Sequence, residues 1–194
     1  LSILTTGFAG MMFDLMIIFA FQSIYGYVFS WIGILVASFM AGAAGGALLI
    51  TALLGRIQNH FRAFKITELA IIGFSIAFPL VFLAMPTWPG GSEVFVVFKV
   101  LFLTLSFISG FLTGAQFPLA NQLYLSERRS VSQTAGLLYA ADLLGGWFGG
   151  IVGAVVLLPV LGLSGTCLAV ALLKLTSLAV VATQQDRHAL GREQ

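Results

Sequence analysis

Apolar residues run along this chain in six long blocks separated by short polar or turn-forming stretches. The blocks are Leu1–Ser23, Trp31–Leu54, Ile66–Met85, Val94–Leu119, Ala135–Leu161 and Leu163–Thr183. A helix needs about 20 apolar residues to cross a hydrocarbon core of about 30 Å. None of the blocks alternates polar and apolar positions as a barrel strand would. The pattern therefore predicts an all-α, polytopic membrane protein, with a six-helix transmembrane domain over 1–183 and a polar tail over 184–194. Pro86 to Ser92 and the glycine at 162 read as tight turns, and Asn121 to Thr134 as the longest connection.

Composition sharpens the class. Hydrophobic residues make up 59% of the chain and charged ones 8%, and mean hydropathy is +1.05. A soluble domain carries roughly three times that charge. The loop charges then set an orientation. Arg56, Arg62 and Lys65 fall between blocks two and three, Arg128 and Arg129 between four and five, and Arg187 and Arg192 after six. The opposite connections hold no Lys or Arg. Basic loops stay on the cytoplasmic side, so both termini are expected in the cytoplasm of a cell whose inner membrane holds the chain. A net charge of +2, spent on such anchors, excludes nucleic acid as a partner and leaves the lipid bilayer.

Cysteine and histidine add exclusions. Cys167 is the single cysteine, so no internal disulfide forms, and no Cys-x-x-Cys-His haem motif or metal-ligand spacing is present. His60 and His188 lie outside the blocks. No metal and no cofactor is expected, and Ser and Thr residues lack a paired His, so no catalytic residue is assigned. The first block has no basic leading region and no small-x-small cleavage pattern, unlike a signal peptide. The chain starts at Leu1, as a piece of a longer polypeptide would.

Small residues recur at spacing four. Ser38, Gly42 and Gly46 do so on the second helix, Ser106, Gly110 and Gly114 on the fourth, and Gly145, Gly149 and Gly153 on the fifth. Such strips let membrane helices approach backbone to backbone, and tight packing of the bundle is the expectation.

Charged groups inside the blocks are Asp14, Lys99, Asp142 and Lys174. Ionisable groups at this depth face partners or a cavity. With a rise of about 1.5 Å per residue, depth matching pairs Asp14 with Lys99 and Asp142 with Lys174. Glu68 reads as shallow, answering Arg62 or Lys65. Near the outer end, Gln22, Tyr25 and Tyr27 form a candidate polar and aromatic pocket, with Trp31 and Trp88 as interface anchors.

Several strings resemble the membrane portion of the spermine/spermidine synthase-like integral membrane proteins. They are Gly7-Phe8 and Asp14, Phe21-Gln22-x-x-Tyr25-Gly26-Tyr27-Val28-Phe29, and Ile32-Gly33-x-Leu35-x-Ala37-x-Phe39-Met40-x-Gly42. Further on come Gly114-x-x-Phe117-Pro118-Leu119-Ala120, the run from Gly136 through Tyr139 and Asp142 to Gly146, and Leu158-Pro159-x-x-Gly162. The resemblance covers nearly the whole chain. It implies one half of a bundle of the major facilitator type, fused in that family to a soluble aminopropyltransferase-like domain. No such domain is encoded here, so the resemblance implies no enzyme activity for this chain. Two departures stand out. The first-helix acid is Asp14 where the family usually has Glu, and the loop from Gly55 to Arg62 lacks the acid that facilitator transporters place there.

Three functions remain open from the sequence. The chain is a module that anchors or assembles a larger complex with other membrane subunits or a soluble cytoplasmic domain. Alternatively it is half of a transporter for a polyamine or another organic cation, or a quinone- or lipid-binding subunit of a redox complex.

Overall fold

The computed structural model describes residues 1–26, 29–84, 91–125 and 131–190, the side chains of 91–95, 125, 131 and 184–190 excepted. Apart from Leu1, Gly26 and the connection 57–59, these residues are helical, with no strand among them. The helices are α1 (Ser2–Tyr25), α2 (Phe29–Leu53), α3 (His60–Ala84), α4 (Gly91–Leu125), α5 (Val131–Val152) and α6 (Leu158–Leu190). A 3₁₀ turn, Leu54–Arg56, follows α2, and a π turn, Gly153–Leu157, joins α5 to α6. Five helical segments among the described residues are long and apolar enough to cross a membrane. The last of these, Ser132–Thr183, has 52 residues, about 78 Å if it were straight.

It is not straight. Gly162 adopts φ 66° and ψ −173° inside α6, a left-handed conformation that glycine tolerates. The contacts on either side show the reversal. Added methyls on Gly145, Gly149 and Gly153 would strike Leu4, Phe8 and Met12 in turn, so α5 runs parallel to α1. Beyond Gly162, Cys167 meets Met16 and Ser177 meets Ser2, so the rest of α6 runs antiparallel to α1.

The helix boundaries depart from the apolar blocks where capping overrides hydropathy. Asn59 accepts the Arg62 N–H with its side-chain oxygen at 2.9 Å, an N-cap that starts α3 at His60. Arg62 and Lys65 are therefore on the helix, not in a loop. At the other end α6 continues to Leu190, into the polar tail. Pro79 and Pro118 sit inside α3 and α4, as neighbouring helices in a bundle allow.

The core centres on α1. Ala9, Met12, Phe13, Met16, Ile17, Ala20 and Phe21 are buried together with Leu35, Ile71, Phe102 and Val170. A second cluster, Ile3, Phe64, Leu119, Leu138 and Val181, lies toward the other end of the bundle. All seven glycines expected to pack do so. Methyls on Gly42 and Gly46 would land on the carbonyls of Phe107 and Phe111, and those on Gly110 and Gly114 on the carbonyls of Phe39 and Ala43. Ser38 and Ser106 lock the same α2–α4 seam, donating to the Leu103 and Leu35 carbonyls at 2.9 and 2.8 Å.

The two glycine seams are copies of each other. One constant shift along the chain carries Gly42 to Gly145 and Gly46 to Gly149. The same shift carries Leu4 to Phe107, Phe8 to Phe111, Gly7 to Gly110 and Phe39 to Asp142. Every one of these residues stands in the equivalent contact. Thus α2 packs on α4 as α5 packs on α1. Gly10 faces Thr113, its own mate under the shift, with a would-be methyl 3.5 Å from the threonine methyl. Around that point α1 and α4 run antiparallel, since Thr6 meets Gln116. The chain is an inverted repeat of two three-helix units about an axis passing between Gly10 and Thr113.

Candidate functional site

Lys174 is the hub of the one cross-bundle polar network found among the described residues. It sits about 18 Å along α6 from the reversal at Gly162, and its side chain is fully buried. The ammonium lies 3.2 Å from each oxygen of Glu68 on α3. It also donates to Thr6 Oγ1 on α1 at 2.9 Å and to Gln116 Oε1 on α4 at 3.0 Å. An ammonium has three donors, and here three helices each supply one acceptor. The acceptors are in turn tied to one another and to their neighbours. Thr6 donates to Gln116, Gln116 Nε2 reaches Thr67 Oγ1 at 3.4 Å, and Ser177 reaches Glu68 at 3.2 Å and Ser2 at 2.9 Å. The node lies between the two apolar clusters and ties four helices at one level.

Neither of the two expected ion pairs forms among the described residues. The ion-pair partner of Lys174 is Glu68, not Asp142. Asp142 is half-buried on α5 and acts on Lys174 through the field alone. Its backbone is held against Gly7, where an added methyl would clash with the Asp142 carbonyl. Glu68 is not a shallow partner of Arg62 or Lys65. Because α3 starts at His60, Glu68 is about 12 Å into the helix.

Asp14 and Lys99 do not meet either. Lys99 sits over the rings of Trp31 and Tyr25, 4.7 and 5.9 Å from their centroids, so its charge is met by π faces. Tyr25 stacks on Phe21 at 4.7 Å. Asp14 is buried, and its Oδ1 has no hydrogen-bond partner among the described residues. The outer pocket of Gln22, Tyr25 and Tyr27 is not a single site. Gln22 lines a lateral groove with Leu15, Ile18 and Pro159, Tyr25 belongs to the Lys99 box, and Tyr27 lies outside the described residues.

Glu68, Thr6 and Gln116 were the members the apolar pattern concealed. The available signal was a set of three polar residues inside or beside blocks that could otherwise be wholly apolar. No known protein family, curated protein or solved structure matches the chain.

Proposed function

We propose that the chain is a six-span module of a cell inner membrane that anchors or assembles a larger complex, with no chemistry of its own. The observation that carries this reading is the closure of the Lys174 node. A charge used in a transport cycle must be reached from water, whereas this ammonium is fully buried with its three donors satisfied by Thr6, Glu68 and Gln116. Such an arrangement holds helices in place. The reversal at Gly162 supports two crossings by Ser132–Thr183, and hence six in all. The basic residues Arg56, Arg62 and Lys65 support a cytoplasmic position for that end. Other membrane subunits or a soluble cytoplasmic domain are the partners under this reading, and the kinship to spermidine synthase-like membrane proteins is part of it.

A second reading, half of a transporter for a polyamine or another organic cation, is favoured by two observations. Inverted repeats are the common architecture of secondary transporters, and Asp14 keeps a buried carboxylate oxygen without a partner among the described residues. Reconstitution separates the two. The purified chain is expected to migrate with stoichiometric partners and to show no uptake of labelled spermidine into proteoliposomes. Uptake that is lost in Asp14→Asn would replace the first reading with the second.

Span number is tested with single cysteines in a Cys167→Ser background. An impermeant thiol reagent added to intact cells is expected to label Ser92→Cys and Ser164→Cys but not Ser130→Cys or Ala189→Cys. Labelling of Ala189→Cys together with Ser164→Cys would mean that Ser132–Thr183 crosses only once.

A further inference from the structure

Midway along α1, Asp14 is 8% exposed, and its Oδ1 is sealed from solvent without a hydrogen-bond partner among the described residues. At bilayer depth there is no bulk water to solvate a carboxylate. A group so placed either finds a cation or gives up its charge.

No cation of the spans is free to serve it. On the helices packed around α1, the charged residues within the spans are Lys99 on α4, Asp142 on α5, Glu68 on α3 and Lys174 on α6, while α2 carries none. Lys174 is committed to Thr6, Glu68 and Gln116. Lys99 lies over Trp31 and Tyr25, and Tyr25 is about 16 Å along α1 from Asp14. Asp142, set against Gly7 two turns away, is a like charge.

Hydrogen-bond donors are lacking too. Helices α1 and α4 run antiparallel from Thr6 beside Gln116 to Phe21 against Phe102, which puts Asp14 level with Ser109. Ser106, Ser109 and Thr113 are the buried polar row on that stretch of α4. Each gives its hydroxyl proton to a backbone carbonyl, those of Leu35, Ser106 and Ser109 in turn. The row therefore retains acceptors and no donor, which suits an acid O–H and not a carboxylate. The other three-helix unit agrees. The constant shift that relates the two seams carries Asp14 to Phe117, which packs on the cluster of Phe64 and Leu119. The position is built for a neutral group.

We propose that Asp14 is a proton-binding site, its carboxyl held as the neutral acid with the proton as its ligand. The inference rests on neither reading of the function, since a scaffold and a transporter both need this acid neutralised. The proton can leave only when water or a cation reaches this level of α1.

Infrared spectroscopy of the purified full chain tests the assignment. At about pH 8, well above the ordinary carboxyl range, the spectrum should keep the carbonyl stretch of one protonated carboxylic acid. The band should vanish in Asp14→Asn and persist in Asp142→Asn, Asp186→Asn and Glu68→Gln. Aspartate isotopically labelled at its side-chain carboxyl carbon should shift the band, whereas a band from Glu68 would stay in place. With the Asp142→Asn and Asp186→Asn spectra, that label assigns Asp14 by elimination even if Asp14→Asn fails to fold. Absence of any protonated-carboxyl band at this pH, a band unmoved by labelled aspartate, or a band that survives Asp14→Asn would overturn the proposal.

Discussion

Lys174→Met is expected to be the most damaging conservative-volume substitution in the chain. The lysine ties α6 to α1, α3 and α4 through Thr6, Glu68 and Gln116. Its removal leaves Glu68 buried without a countercharge, while Asp142 loses the cation whose field it feels. Breaking a buried pair by deleting one partner costs about 3–5 kcal/mol. Glu68→Gln should cost less. It leaves Lys174 with Thr6, Gln116 and a neutral amide as acceptors, and with Asp142 as the remaining negative charge. The double variant Glu68→Gln/Lys174→Met removes both charges and should recover most of the loss, since a neutral, well-filled site often matches a buried ion pair. Unfolding midpoints in a single detergent give the order: the lysine variant lowest, then the glutamine variant, then the double. If the double variant is as unstable as Lys174→Met, the network's worth lies in its neutral hydrogen bonds rather than in charge neutralisation.

Gly42→Leu and Gly145→Leu should disrupt the bundle to a similar degree. Each places a branched side chain on a backbone carbonyl, that of Phe107 in one seam and that of Leu4 in the other. Neither carbonyl can move without shifting a whole helix, so the cost belongs at or beyond the top of the about 1–3 kcal/mol range of overpacking. Gly33 and Gly136 are the controls. They are related by the same shift, and an added methyl at either meets nothing within 4 Å. Leucine there should leave stability near the parent value. Gly149→Leu should likewise be far worse than Val156→Leu, because a methyl added at Gly149 would already come within 2.8 Å of the Phe8 carbonyl oxygen while Val156, in the π turn, is exposed. Thermal midpoints check all of these, and equal values for Gly145→Leu and Gly136→Leu would place the α1–α5 seam on the lipid.

Hydropathy and glycine spacing made most of the architecture legible, because both report on backbone-level constraints that hold for any neighbour. Lys174 was also legible as a group in need of a partner. The partner was not, because the first apolar residue of α3, Ile66, lies well inside the helix that the Asn59 cap begins. That displacement made Glu68 look peripheral and promoted Asp142. Lys99 failed for a different reason. Charge counting seeks an opposite charge, and here the faces of Trp31 and Tyr25 supply the negative potential. The repeat was hidden because it is a symmetry of close backbone approach. Identical mates are few and mostly glycine, as with Gly7 and Gly110 or Gly42 and Gly145, while other superposing positions carry Leu4 and Phe107, or Phe39 and Asp142, so the likeness is thin in the sequence.

The interleaved pairing of the two units bears on how the chain is made. Leu4 and Phe8 on α1 wait for Gly145 and Gly149, and at about 5–20 residues per second the roughly 140 intervening residues take about 7–30 s to synthesise. During that interval α1 stands in the insertion machinery or in lipid with its Leu4 and Phe8 backbone strip uncovered. The first three helices are therefore no independent folding unit. Ribosomal pausing between α3 and α4 would lengthen the life of a half-built intermediate, and quality-control proteases that recognise polar groups in hydrocarbon would meet it there.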